Sequence, residues 1–156
     1  MPVTPQVLAN RLREEGDRVI KFFKHLTRDQ WGVLVYPQEG DWSMHHLLAH
    51  FVSSEIGRKE LICNVYNDGK GAPPDFEIDH FNQREVKKFS AESDDDLLNR
   101  FTQERTQLTE HVSVMSPQGL ERIGNDPYLG EVALAEMIKL TYRHLQIHLR
   151  DARKFL

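Results

Sequence analysis

Apolar residues in this chain recur mostly at spacings of three and four, the interval that places them on one face of a helix. Val7, Leu8, Leu12, Val19, Ile20, Phe23 and Leu26 draw the first stripe. Thr4 followed by Pro5 reads as its N-cap and first helical residue, so a helix is predicted over residues 4–26. Residues 27–30 read as a short extra turn, and residues 31–41, with Tyr36-Pro37 and Gly40, as a connection. Ser43 is a good N-cap for a second helix, whose apolar side carries Met44, Leu47, Leu48, Phe51, Ile56 and Ile62 and which ends near Asn67-Asp68-Gly69. An irregular linker over residues 69–74 leads to a shorter helix over 79–89, with Phe81, Val86 and Phe89.

Ser93 caps the next helix, whose stripe is Leu97, Leu98, Phe101, Leu108, Val112 and Met115. The triplet Asp94-Asp95-Asp96 suits the positive end of its dipole and reads as a helix start, not as a metal site. The last helix, residues 131–155, carries Leu134, Met137, Ile138, Leu145, Ala152 and Phe155. No segment alternates strictly over several residues, so no strand is predicted, and Ile123, Tyr128 and Leu129 of the final connection are expected to tuck against the helices. The predicted fold is all-α: four long helices in a bundle, one interrupted near Ser90 to Ser93, with loops long enough for a crossing connection. At 156 residues the chain fits a single domain.

Histidines interrupt this apolar pattern. His144 and His148 stand four apart on or beside the stripe of the last helix, so their imidazoles project in one direction, inward. A lone buried histidine is ordinarily satisfied by its neighbours, but a pair at this spacing can bind one metal ion. On the second helix His50 sits on the flank of the buried face, His45 points away, and His46 lies one turn before His50. His46 reads as a partly solvated first-turn residue, with a role at a metal site as the alternative.

A net charge of −4 gives no general attraction to phosphate backbones, and no basic block with interleaved aromatics is present, so no nucleic-acid partner is expected. Nowhere do 18 apolar residues run consecutively, and the first residues lack a basic region followed by an apolar run. A cytoplasmic protein with no membrane partner is expected. The single cysteine, Cys63, cannot form an internal disulfide, and among Leu61, Ile62 and Val65 it reads as an inert core thiol.

Asp41-Trp42-Ser43 opens the second helix, His50 follows Ser43 by seven residues in Leu47-Leu48-Ala49-His50, and His144-x-x-x-His148 closes the pattern. With Asp79-His80-Phe81-Asn82-Gln83-Arg84-Glu85-Val86 at the third helix, this order resembles the DinB-like (DinB/YfiT) superfamily of four-helix-bundle proteins over nearly the whole chain. The resemblance implies a mononuclear site in which His50, His144 and His148 bind a divalent metal, commonly zinc or nickel, with positions left open. The donor chemistry agrees, because neutral imidazoles suit zinc, nickel, copper or iron, and three protein ligands with a free position form a catalytic pattern.

Relatives often carry an acidic residue where this chain has His46, so the second helix is expected to lack a Ser-x-x-Glu capping box, and His46 is free to be a fourth ligand or to support one. Relatives include transferases and isomerases that use small thiols such as bacillithiol and mycothiol. The implied activity is thiol transfer or hydrolysis on a small molecule, with the catalytic groups themselves unassigned. Glu55, His80, Asn82 and Tyr142 are candidates to support the ligands or touch substrate, although Glu55 reads more readily as a solvated helix residue and His80 as a surface one. A homodimer is expected. The rival reading is a non-enzymatic homodimer that binds a metal or a small ligand; a di-iron site is disfavoured because the Glu-x-x-His pairs it needs are not apparent. Histidines of ordinary pKa, about 6.5, predict metal release below about pH 6.

Overall fold

Caps in the sequence set where the helices begin. The computed structural model describes residues 3–37 and 41–156; the remaining five positions, Gly40 of the expected connection among them, lie outside the described residues. Thr4 Oγ1 accepts the Val7 N–H at 3.2 Å, with Pro5 in the first turn, and opens α1 (Pro5–Lys24). Ser93 Oγ accepts the Asp96 N–H at 3.1 Å and opens α4 (Asp94–Ser113). Ser43 opens α2 (Met44–Tyr66), and here the expected absence of a capping box is corrected. His46 Nδ1 accepts the Ser43 N–H at 3.2 Å while Ser43 Oγ accepts the His46 N–H at 3.4 Å. An unprotonated imidazole nitrogen has the reach and the lone pair that a glutamate would supply at this position. The shorter α3 (Ile78–Phe89) and the final α5 (Leu134–Arg153) complete the helices, and α3 and α4 are separated by a break over residues 90–93.

The main interfaces of α1 are with α4 and α5, and those of α2 are with the same two helices, while α3 lies on the outside of α2. Consecutive helices α1 and α2 therefore occupy opposite corners of the four-helix bundle, and the chain between them crosses its end. Along that crossing, β1 (Leu34–Tyr36) pairs antiparallel with β2 (Trp42–Ser43), with Tyr36 opposite Trp42.

A second two-stranded sheet, β3 (Ile123–Asp126) with β4 (Gly130–Ala133), corrects both the strand-free expectation and the start of the last helix. Residues 130–133 are spent on the ladder, so α5 begins at Leu134. The hairpin escapes hydropathy reading because its alternation is inverted: Ile123 is 57% exposed, whereas Asp126 is 1% exposed. Leu129 is likewise exposed, so Ile123 and Leu129 do not tuck against the bundle as expected, whereas Tyr128, exposed along one side, lays its ring against His144 of α5.

Two apolar clusters fill the bundle. One gathers Val19, Phe23, Leu47, Phe51, Phe101, Leu145 and Leu149; the other gathers Leu8, Leu12, Ile62, Leu108, Leu134 and Met137. Between them runs a polar layer. Glu55 of α2 meets Arg105 of α4 through two bonds of 2.5 and 2.7 Å, both side chains buried, and Arg105 also donates to the Leu12 carbonyl at 2.9 Å. Gly16 of α1 leaves the room this guanidinium needs, since a Cβ there would lie 2.7 Å from Arg105 Cγ.

The linker after α2 is tied to β3. Ala72 donates to the Asn125 carbonyl, and the Asn125 N–H donates to the Lys70 carbonyl, both at 2.8 Å. Gly71, at φ +87°, sits where a Cβ would fall 2.4 Å from the Asn125 carbonyl oxygen, so this position accepts only glycine without a backbone shift. Among the described residues, no helix is long and apolar enough to cross a membrane.

Candidate metal centre

His144 and His148 share a face of α5 because they are four residues apart, and the α2–α5 interface brings His50 to that face. One ring nitrogen from each of the three lies within 4.8 Å of those of the others. The Nε2 atoms of His144 and His148 are 2.9 Å apart. Two nitrogens each about 2.1 Å from one ion and at right angles to it would stand about 3.0 Å apart, so this spacing fits adjacent ligands of a transition ion. His50 is buried, and among the described residues its Nδ1 has no hydrogen-bond partner. An unpartnered polar atom in so buried a place is expensive unless something else satisfies it.

Burial holds all three rings neutral. Desolvation, reinforced by His148 and then Arg58, lowers His144 from 6.5 to about 3. Desolvation likewise lowers His148 to about 4, against the opposing pull of Asp151, and His50 falls well below its ordinary value for the same leading reason. Neutral imidazole is the form that ligates.

Rings so depressed compete less well for protons than free imidazoles, which favours retention of a bound ion to lower pH than the ordinary histidine value suggests. The metal-free protein behaves differently. Unfolded histidines bind protons below about 6.5, while the folded ones resist until their depressed values. Stability of the metal-free protein is therefore full above about pH 6.5 and is lost progressively as pH falls toward 4 and 3. Urea midpoints measured at pH 7, 6 and 5 are expected to fall in that order; a flat series would contradict the buried, neutral assignment.

Four aromatic rings close around the imidazoles. Trp42 lies 5.3 Å from His50, Tyr36 5.5 Å and Phe51 5.8 Å from His148, and Tyr128 5.6 Å from His144, centroid to centroid. Tyr36 falls in a stretch read from sequence only as a connection, Tyr128 is expected from sequence only to tuck against the helices, and no periodicity marks either for the site. The hairpins β1–β2 and β3–β4 deliver them from opposite ends of the chain.

Arg58 and Asp126 are also invisible to hydropathy. Arg58, two turns beyond His50 on α2, pairs with Asp126 at 2.7 Å and donates to the Met137 carbonyl at 2.7 Å and to Thr141 Oγ1 at 3.3 Å. It thereby fixes α2 against α5 directly below the histidines. Asp126 Oδ1 in turn accepts the N–H groups of Tyr128 at 2.8 Å and Leu129 at 3.2 Å, shaping the turn that holds Tyr128.

The candidate supporting residues divide. Asn82 donates to the Tyr128 hydroxyl at 3.2 Å and so reaches the site through that ring. His46 is turned to the cap of α2. Glu55 is neither solvated nor beside the histidines, because α2 is buried around most of its circumference and the carboxylate finds Arg105 instead. His80 is exposed on α3, and Tyr142 packs in the lower core with the Arg11 guanidinium 5.3 Å over its ring. Cys63 is half-buried, with its thiol pKa pushed up by desolvation.

A cavity of about 360 Å³ begins one turn beyond His50. Ser54, Arg58 and Leu61 of α2 form one wall, Phe76, Phe81 and Asn82 another, and Tyr128 stands between it and His144.

The solved structure of a mycothiol-dependent maleylpyruvate isomerase superposes with a TM-score of 0.78 at 15% identity, covering 96% of this chain and 61% of that one. A histidine-to-alanine mutant of that enzyme gives a TM-score of 0.78 at 16% identity, with the same coverage. The chain thus spans 61% of the length of these neighbours, and identity so low shows a common fold alone. No curated protein matches the chain. The family model of the DinB superfamily matches residues 11–152, almost the whole helical bundle with its three histidines, and on that match the chain belongs to the DinB superfamily.

Proposed function

We propose that the protein is a metal-dependent enzyme in which His50, His144 and His148 hold one divalent transition ion, zinc or nickel, and that it transfers a small thiol to an electrophile bound in the adjoining cavity. The observation that carries this reading is the meeting of three neutral ring nitrogens within 4.8 Å, one of the histidines fully buried with an unpartnered Nδ1. A divalent ion held there would lower the proton affinity of a thiol or a water that reached it. The neighbouring isomerase is by its name mycothiol-dependent, which favours thiol over water.

The chain's own groups fit the task. Phe76, Phe81, Leu61 and Pro73 give the adjoining cavity an apolar wall against which the carbon skeleton of a small substrate can rest. Burial raises the Tyr128 phenol above its ordinary value, so the hydroxyl stays protonated. With Asn82 donating to its oxygen, Tyr128 keeps its own proton to offer an oxygen of the substrate. Arg58 uses each of its three nitrogens once, on Asp126, Met137 and Thr141, which makes it a brace for the site.

The test is elemental analysis of protein purified without a histidine tag, beside the triple variant His50→Ala/His144→Ala/His148→Ala, followed by turnover with a small thiol and a conjugated electrophile. About one transition ion per chain in the wild type and none in the variant is expected, with turnover that depends on the ion. A tightly held ion with no turnover, whose removal unfolds the chain, would favour the non-enzymatic bundle. No ion after reconstitution with zinc or nickel would overturn the metal reading.

A further inference from the structure

One hydrogen-bonded chain leads out of the metal centre to the surface. The Tyr36 hydroxyl lies 2.7 Å from His148 Nδ1 and donates to Asp151 Oδ2 at 3.1 Å. Asp151 stands three residues after His148, hence on the same side of α5, while Tyr36 arrives from β1. The other carboxylate oxygen, Oδ1, has Arg150 Nε and Lys154 Nζ each at 3.8 Å.

The direction of this chain follows from what each group can do. A carboxylate only accepts, so the single phenolic proton of Tyr36 goes to Asp151. The Tyr36 oxygen is then an acceptor toward His148, and His148 Nδ1 must carry the proton. Its Nε2 is left with a free lone pair, aimed at His144 Nε2 2.9 Å away. In the metal-free protein that pair closes with His144 donating from Nε2.

We infer that Tyr36 and Asp151 are positioning residues that set His148 in the Nδ1-protonated tautomer, so that its Nε2 is a ready metal donor, while His144 must shift its proton to Nδ1 when an ion enters. This rests on the metal reading above. His148 is the preset ligand of the three, and His144 is the one that rearranges. A neutral ring held by a second partner in one tautomer and one orientation is the usual way a protein raises the affinity of a histidine for metal.

Long-range proton–nitrogen NMR of the metal-free protein reads the tautomer of His148 directly, and chelator competition reads the zinc dissociation constant. The wild type is expected to show His148 protonated at Nδ1. Tyr36→Phe removes the acceptor, and Asp151→Leu frees the tyrosine proton to turn toward His148. Both are expected to shift His148 toward the Nε2-protonated form and to weaken zinc about 10- to 100-fold. Asp151→Asn, which keeps an acceptor oxygen, is expected to retain the wild-type tautomer and most of the affinity. Because Asp151 lies near the surface, its variants carry the test if Tyr36→Phe does not fold. His148 protonated at Nε2 in the wild type would overturn the inference, as would a tautomer and zinc affinity unmoved in the variants while only thermal stability falls. A wild type that takes up no zinc overturns it by a different route, through the metal reading itself.

Discussion

Arg105→Leu is expected to cost about 3–5 kcal/mol of folding stability, because it strips the partner from a carboxylate that is 1% exposed in the middle of the bundle. Set against a typical domain stability of about 5–15 kcal/mol, that is a large fraction of the whole. Glu55 has no water to fall back on, since it is buried in the bundle, and the Leu12 carbonyl loses the donor that Arg105 adds to its helical one. The double variant Glu55→Leu/Arg105→Leu removes both charges and is expected to recover most of the loss, because a filled apolar layer needs no ion pair. Urea unfolding of the two single variants and the double variant checks this. A single variant that loses less than about 1 kcal/mol would mean the layer is wetter than its burial implies.

The second large effect is expected at Asp126, where stability and site geometry are joined. Asp126→Ala removes the charge partner of the buried Arg58 guanidinium, leaving it two neutral acceptors, a loss of about 3–5 kcal/mol, and releases the turn that holds Tyr128 over His144. Asp126→Asn keeps an oxygen for the Tyr128 and Leu129 N–H groups but not the charge. It is expected to lose about 1.5–3 kcal/mol and to leave Tyr128 in place. Unfolding midpoints, with the Tyr128–His144 ring contact followed by NMR, separate the two. If alanine and asparagine behave alike, the turn does not depend on Oδ1.

The helices are legible in the sequence because spacing and caps agree: Thr4-Pro5, Ser43 and Ser93 each begin a helix where an apolar stripe begins. The shared face of His144 and His148 is legible for the same reason. That His50 meets them is a tertiary fact, carried beforehand only by the family resemblance. The rest depends on residues whose surroundings invert their character. Glu55 looks solvated until α2 proves to be enclosed, and Asp126 looks like a loop residue until Arg58 arrives from 68 positions earlier in the chain. Tyr36 is marked by no period, because β1 is three residues long and its role comes from where the crossing connection lays it. His46 departs from the usual glutamate and yet closes the capping box, so substitution by residue class would miss it.

The placing of α1 and α2 at opposite corners also bears on how the chain comes to be folded. Helices adjacent in sequence usually zip together as a hairpin soon after both exist, whereas these two touch mainly across the core, as Phe23 does against Phe51 at 5.7 Å. Helix α2 can gather α3 on its outer side first, but the core-facing sides of both helices wait for α4 and α5. In chain order α1 and α2 both precede α4 and α5, and the histidines are split the same way, His50 on α2 and His144 and His148 on α5. Assembly of the bundle is thus bound to long sequence separations, which slow folding relative to a simple up-and-down arrangement, and the three imidazoles meet only once α5 has docked against α2.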